Sequence, residues 1–247
     1  MIEEIILDLE YFVSFIGYPR SGHTLVAAII NANPDAICWN QLNVFNKDDF
    51  SFSECLTDPA GQTWKDSTLI QHVPKNTIKV LGDKTGHRTT LLLQKNPQKL
   101  GEIKSKLQIP IKFLHVVRNP FDNIATWAII ANENKKTSIN HELNKVIDEY
   151  VLLNETIARL KRSEDVLTVK HEYVITRMHN TLEEIANFLE LSFDPIWRDN
   201  VRNAVWKKPR ITRRQVPWTQ KQKGTVHDII AQYDWLKGYD FGGCGRC

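Results

Sequence analysis

The chain is poor in cysteine: four in 247 residues, Cys38, Cys55, Cys244 and Cys247. That is no disulfide framework. The terminal C-x-x-C would need two more ligands to hold zinc, and a redox pair normally opens a helix after a strand instead of ending a chain. Long apolar runs are absent. No stretch approaches the roughly 18 residues that cross a bilayer, so no membrane partner is expected. The first residues, MIEEIILDLE, carry acids and no basic segment, which argues against a secretory leader and for a cytoplasmic protein. The net charge of +3 is too small to imply nucleic acid. No repeat or low-complexity linker marks a boundary, so residues 1–247 read as one domain. With 42% hydrophobic and 25% charged residues, the composition is that of an ordinary globular protein. Oligomeric state leaves no trace in the sequence.

What the chain does have is alternation. YFVSFIG (Tyr11–Gly17) is short, aromatic and β-branched, and reads as a buried strand. HTLVAAIINANP follows with helical composition and stops before Pro34. DAICW, TIKVLG, IPIKFLHVV and DVLTVK read as further strands. Between them lie a helix over 89–107, interrupted at Pro97, and one with Pro120 at its first position. An amphipathic helix carries Leu143, Ile147, Tyr150, Val151, Ile157 and Leu160. TLEEIANFLEL is a last helix, with Thr181 and Glu184 as a capping box. This predicts an α/β fold, a doubly wound parallel sheet with helices on both faces, like the P-loop nucleotide-binding proteins. Residues 43–76 read as a long polar excursion, whose Phe45, Phe50, Phe52 and Trp64 are candidates to line a substrate pocket.

In such sheets ligands bind beyond the carboxyl ends of the strands. Three strand ends carry polar clusters: GYPRSGHT, GDKTGHR and RNPFDNIAT. The first is nearly a P-loop, G-x-x-x-x-G-K-[ST], with Gly17, Gly22 and Thr24 in place and His23 where lysine belongs. Glycines let the backbone approach an anion, and the amides from Ser21 to Thr24 open the helix toward it. Arg20 adds charge. The missing lysine would grip a β- or γ-phosphate, so its absence favours a ligand without a triphosphate. A basic stretch, WKKPRITRRQVPWTQKQKG, reads as a mobile flap over about 206–226.

YPRSGHT resembles the 5′-phosphosulfate loop of the sulfotransferases, Y-P-[KR]-S-G-T-T, and VVRNPFDNIAT is similar to their 3′-phosphate signature, an Arg-Asn-Pro with Ser or Thr eight residues after the arginine. VKHEYVI resembles their Y-E-D-L strand end and QKGTV their late R-K-G segment, so the likeness runs along nearly the whole chain. The resemblance implies a donor, 3′-phosphoadenosine 5′-phosphosulfate, yielding 3′-phosphoadenosine 5′-phosphate, and no metal. It assigns Arg20, Ser21, Gly22, His23 and Thr24 to the 5′ end. Arg118, Thr126, Lys223 and Gly224 fall to the 3′-phosphate. The tryptophan many members place after the loop to stack on adenine is Leu25 here; His171, at the tyrosine of Y-E-D-L, is a candidate to stack instead.

Sulfuryl transfer builds negative charge on the leaving oxygen, for which Arg20 is the first candidate cation, with Lys84 or His23 beside it. A hydroxyl acceptor also needs a base near neutral pKa. In DKTGHR, His87 stands one residue later than the family's histidine. Asp83 is the second candidate and an acid within 48–54 the third. The acceptor is expected to be a small metabolite, with a glycan or peptide as alternatives. Two other readings stay open: a degenerate, non-catalytic nucleotide binder, and a P-loop kinase, which would leave Arg118 and Thr126 unexplained.

Overall fold

The computed structural model describes residues 6–39, 42–46, 77–135, 137–204 and 208–243. The strands are β1 (Ile6–Gly17), β2 (Ala36–Trp39), β3 (Thr77–Asp83), β4 (Ile111–Val117) and β5 (Val166–Lys170), in spatial order β2-β3-β1-β4-β5. Every pairing is parallel. β1 runs back to Ile6, well before the strand expected from Tyr11. The chain crosses β1 between β3 and β4, so the carboxyl ends of these three strands flank the point where the winding reverses.

The period-2 pattern of β1 explains the layers. Phe12 and Ile16 face one side, with α2 (Gly86–Lys95), α3 (Lys99–Leu107), α4 (Pro120–Lys135), α5 (Ile139–Ser163) and α9 (Gln220–Gln232). Val13 and Phe15 face the other, with α1 (His23–Asn31), α7 (Met178–Leu189) and α8 (Pro195–Ala204). A short helix, α6 (His171–Thr176), follows β5 directly. Phe12, Val13, Phe15 and Ile16 are all fully buried, each worth roughly 1.5–3 kcal/mol.

One local expectation holds and others change. The helix expected over 89–107 is interrupted at Pro97 as expected, giving α2 and α3, because proline cannot continue a helix and turns Asn96 out of helical conformation. Thr181 and Glu184 form no capping box: α7 starts at Met178, and Thr181 is buried inside it. The box that exists is Thr219–Gln222, which opens α9. The part of the basic stretch expected to be a flap therefore includes helix: Lys221, Lys223 and Gly224 stand on α9. Phe45 is core, packed at 6.5 Å from Phe113. Phe50, Phe52, Trp64, the acids of 48–54, Cys55, Cys244 and Cys247 lie outside the described residues. Among the described residues no helix is long and apolar enough to cross a membrane.

Candidate active site

The first strand end is a turn built around glycine and held from three sides. Gly17 and Gly22 have φ of +130° and +106°, and Arg20 between them has φ of +65°. Tyr18 turns inward, stacks on Tyr150 at 4.0 Å and donates to Asn154 Oδ1 at 2.6 Å. That leaves Arg20 exposed at the tip. Asn123 of α4 donates to the Pro19 carbonyl (2.7 Å), and Thr90 of α2 accepts from Gly17 N–H (2.9 Å) while donating to the Gly86 carbonyl (2.8 Å). Gly22 caps α1 without a side-chain partner, so the first amides of the helix face the ligand side of the turn.

His23 does not replace the missing lysine. Its ring is buried, with Nε2 3.1 Å from the Ile16 carbonyl and 3.3 Å from Ser21 Oγ. Burial pushes its pKa down to about 4, so the ring is neutral. It lies where a Cβ on Gly86 would meet Cε1 at 2.4 Å. Ser21 is likewise buried; its hydroxyl points to His23. The cation comes from elsewhere. Lys84, just past β3, donates from Nζ to Thr24 Oγ1 at 2.9 Å. Partial burial lowers its pKa. Asp83 is an internal pin, accepting from Val44 N–H, Thr85 N–H and the Thr85 hydroxyl. Its burial, which pushes the carboxyl up, keeps it out of the cleft where a base would act.

The second anion cradle starts at Arg118, past β4. The guanidinium is buried to 7% exposure; Nη1 donates to Thr126 Oγ1 (3.3 Å) and Nη2 to the Arg210 carbonyl. Its Nε has no partner. Thr126 is two turns along α4 and contacts Thr212 Oγ1 at 2.7 Å. Buried Asp122 organises this corner. It takes Thr212 N–H (2.7 Å), Arg213 N–H (2.8 Å) and the Arg213 guanidinium (2.5 Å), which fastens residues 210–213 against the start of α4. Arg210 therefore lines the cleft, a position the sequence reading missed. Lys223 and Gly224 do not line it; the Lys223 ammonium lies 4.2 Å from the Phe241 ring centroid.

His171, the first residue of α6, packs across the glycine turn: a Cβ on Gly22 would stand 2.4 Å from its Cδ2. Burial, reinforced by Arg118, lowers its pKa to about 4. The neighbouring Glu172 accepts from Asn119 N–H (2.9 Å) and the Tyr239 hydroxyl (2.6 Å), tying β5 to the second motif. His87, in the first turn of α2, has Nε2 2.8 Å from Glu149 Oε1 of α5, with its ring edge-on to Trp127. Glu149 had no sequence signal, being 62 residues away on a surface helix pattern.

These strand ends open into one cleft of about 590 Å³. Arg20, Lys84, Arg88, Arg118 and Arg210 line it, and among the described residues no carboxylate does. Its cationic lining suits an anion. Among the described residues no three His, Cys, Asp or Glu side chains gather as metal ligands.

A family model described as "Sulfotransferase family" matches residues 13–195, from β1 to the start of α8. The chain belongs to the sulfotransferase family. Solved structures agree on the fold. The sulfotransferase domain of the Synechococcus PCC 7002 olefin synthase is 14% identical, with a TM-score of 0.54, covering 94% of this chain and 97% of that one. Mouse SULT7A1, solved in complex with PAP, is 17% identical with a TM-score of 0.53, covering 90% and 84%. The sulfotransferase domain of the curacin biosynthetic pathway is 12% identical with a TM-score of 0.57, covering 92% and 98%. No curated protein matches the chain. The family match takes in the first glycine turn, Lys84, His87, Arg118 and His171.

Proposed function

We propose that this sulfotransferase uses 3′-phosphoadenosine 5′-phosphosulfate and sulfates a hydroxyl, or an amine, of a small acceptor. The observation that carries this reading is one cleft lined by the glycine turn with Lys84 and by Arg118 with Arg210, and by no acid among the described residues. The donor supplies an activated sulfuryl group on a 5′-phosphate and a second phosphate on the ribose. Arg20, Thr24, Lys84 and the α1 amides would hold the phosphosulfate end. Arg118, Thr126 and Arg210 would hold the 3′-phosphate, with the guanidinium of Arg118 exchanging neutral acceptors for phosphate oxygens, to which it binds more strongly. Leu25, Ile175 and His171 would wall the space between.

His87 would take the acceptor proton. With Nε2 turned to Glu149, Nδ1 is left as its free nitrogen. As the acceptor oxygen bonds to sulfur, the bond from sulfur to the 5′-phosphate oxygen breaks and its electron pair stays on that oxygen. Lys84 and Arg20 would offset that charge. The test is incubation with sulfur-35-labelled donor and an acceptor panel, together with calorimetry of the 3′,5′-bisphosphate. Label transfer and bisphosphate binding that drops at least tenfold in Arg118→Ala are expected. Unchanged affinity in that variant would refute the placement of the 3′ cradle.

A further inference from the structure

The donor reading leaves one cation of the cleft without a task. Lys84 stands on Thr24 beside the glycine turn that carries Arg20, and Arg118 reaches the Arg210 carbonyl. Arg88 also lines the cleft, is exposed, and has no hydrogen bond or ion pair among the described residues. It follows His87 directly in the first turn of α2. Both residues line the same cleft, so an acceptor that presents an oxygen to His87 can meet Arg88 with a second group. Glu149, the carboxylate on the neighbouring His87, is engaged by that ring.

We infer that Arg88 selects the acceptor: the substrate carries a carboxylate or phosphate a few bonds from the hydroxyl that is sulfated. This rests on the sulfotransfer reading above. The chemistry fits in two ways. A planar guanidinium offers a forked pair of donors that matches either anion. And an acceptor bearing its own negative charge must approach an anionic donor; a free cation beside the base offsets that repulsion, whereas a neutral alcohol has no use for it. A cationic residue beside the base would repel an amine acceptor, which narrows the proposed nucleophile to oxygen.

The test uses the full chain saturated with 3′,5′-bisphosphate. Two series of acceptors are compared by calorimetry: 4-methylphenol, 4-hydroxyphenylacetate and 4-hydroxybenzylphosphonate, and 1-butanol with 4-hydroxybutanoate. The same compounds are then ranked by kcat/KM with labelled donor. An acid binding at least tenfold tighter than its neutral partner in one series is expected, and the carboxylate and phosphonate arms tell which anion is meant. Arg88→Gln brings that ratio close to one, Arg88→Lys restores part of it, and bisphosphate affinity stays as in the parent. Acid and neutral partners that bind equally, or not at all, overturn the inference, as does a preference that survives in Arg88→Gln. Failure of the bisphosphate itself to bind would instead refute the donor reading and take this inference with it.

Discussion

The Lys84 ammonium donates to Thr24 Oγ1 at 2.9 Å, bringing to the glycine turn the lysine that its own sequence lacks. The turn ends β1 and the lysine follows β3, and the two strands are parallel neighbours. Loop and lysine meet because β1 and β3 pair in register, Ser14 opposite Asp83. His23, at the lysine position of the loop, is free to become part of the interior.

Lys84→Met should lower kcat/KM for sulfuryl transfer by about 10²–10³-fold, the usual effect of removing one preorganised donor from developing charge. Steady-state kinetics with labelled donor check this. A loss below threefold would mean that the lysine only supports Thr24.

His87→Ala should cost at least tenfold in kcat, within the ~10²–10⁴ range for a general base, with bisphosphate affinity little changed. Glu149 acts through the ring it faces at 2.8 Å. Glu149→Ala should therefore lower kcat by itself, yet add almost nothing in the double variant with His87→Ala. Additive losses would separate the two residues.

Gly86→Ala should destabilise the protein by about 1–3 kcal/mol, since the new Cβ lands 2.4 Å from His23 Cε1 and overpacks a buried site. His23→Ala opens that space. Urea denaturation of both single variants and the double should give a coupling that cancels most of the Gly86→Ala cost. Independent effects would mean that the loop yields without strain.

Stability should fall as pH drops below the ordinary histidine range. Burial depresses the pKa of His23 to about 4 and that of His115 well below its usual value, so both are neutral when folded and charge on unfolding. The unfolded chain then binds the extra protons. The stabilisation is complete above about pH 6.5 and is lost progressively as pH falls, for His23 down to about 4. Each group contributes a slope of about 1.4 kcal/mol per pH unit within its window. Urea midpoints at pH 7.5, 6 and 5 read this out, and His23→Gln should flatten the slope by one proton.

The elements were legible because strand and helix patterning is local. The aromatic and β-branched run of Tyr11–Gly17, Pro120 at a helix start and Pro97 at a break each act within a few residues. The capping box was misplaced because Thr181 has the right spacing but is buried mid-helix, which a spacing rule does not sense. Within the site, the glycine turn, Arg118 with Thr126, and His87 stood out for the same local reason.

The sequence alone determined an alternating parallel α/β chain with two anion-binding signatures, since backbone conformation and helix-end chemistry depend on near neighbours. Only the tertiary structure decided which side chains meet. It placed Lys84 on Thr24 and Glu149 on His87, and turned His23 and Ser21 inward. It brought Arg210 to Arg118 through buried Asp122, and put Lys223 on a helix against Phe241. The physical reason is that strand order and helix docking join residues far apart in the chain, where no spacing rule reaches.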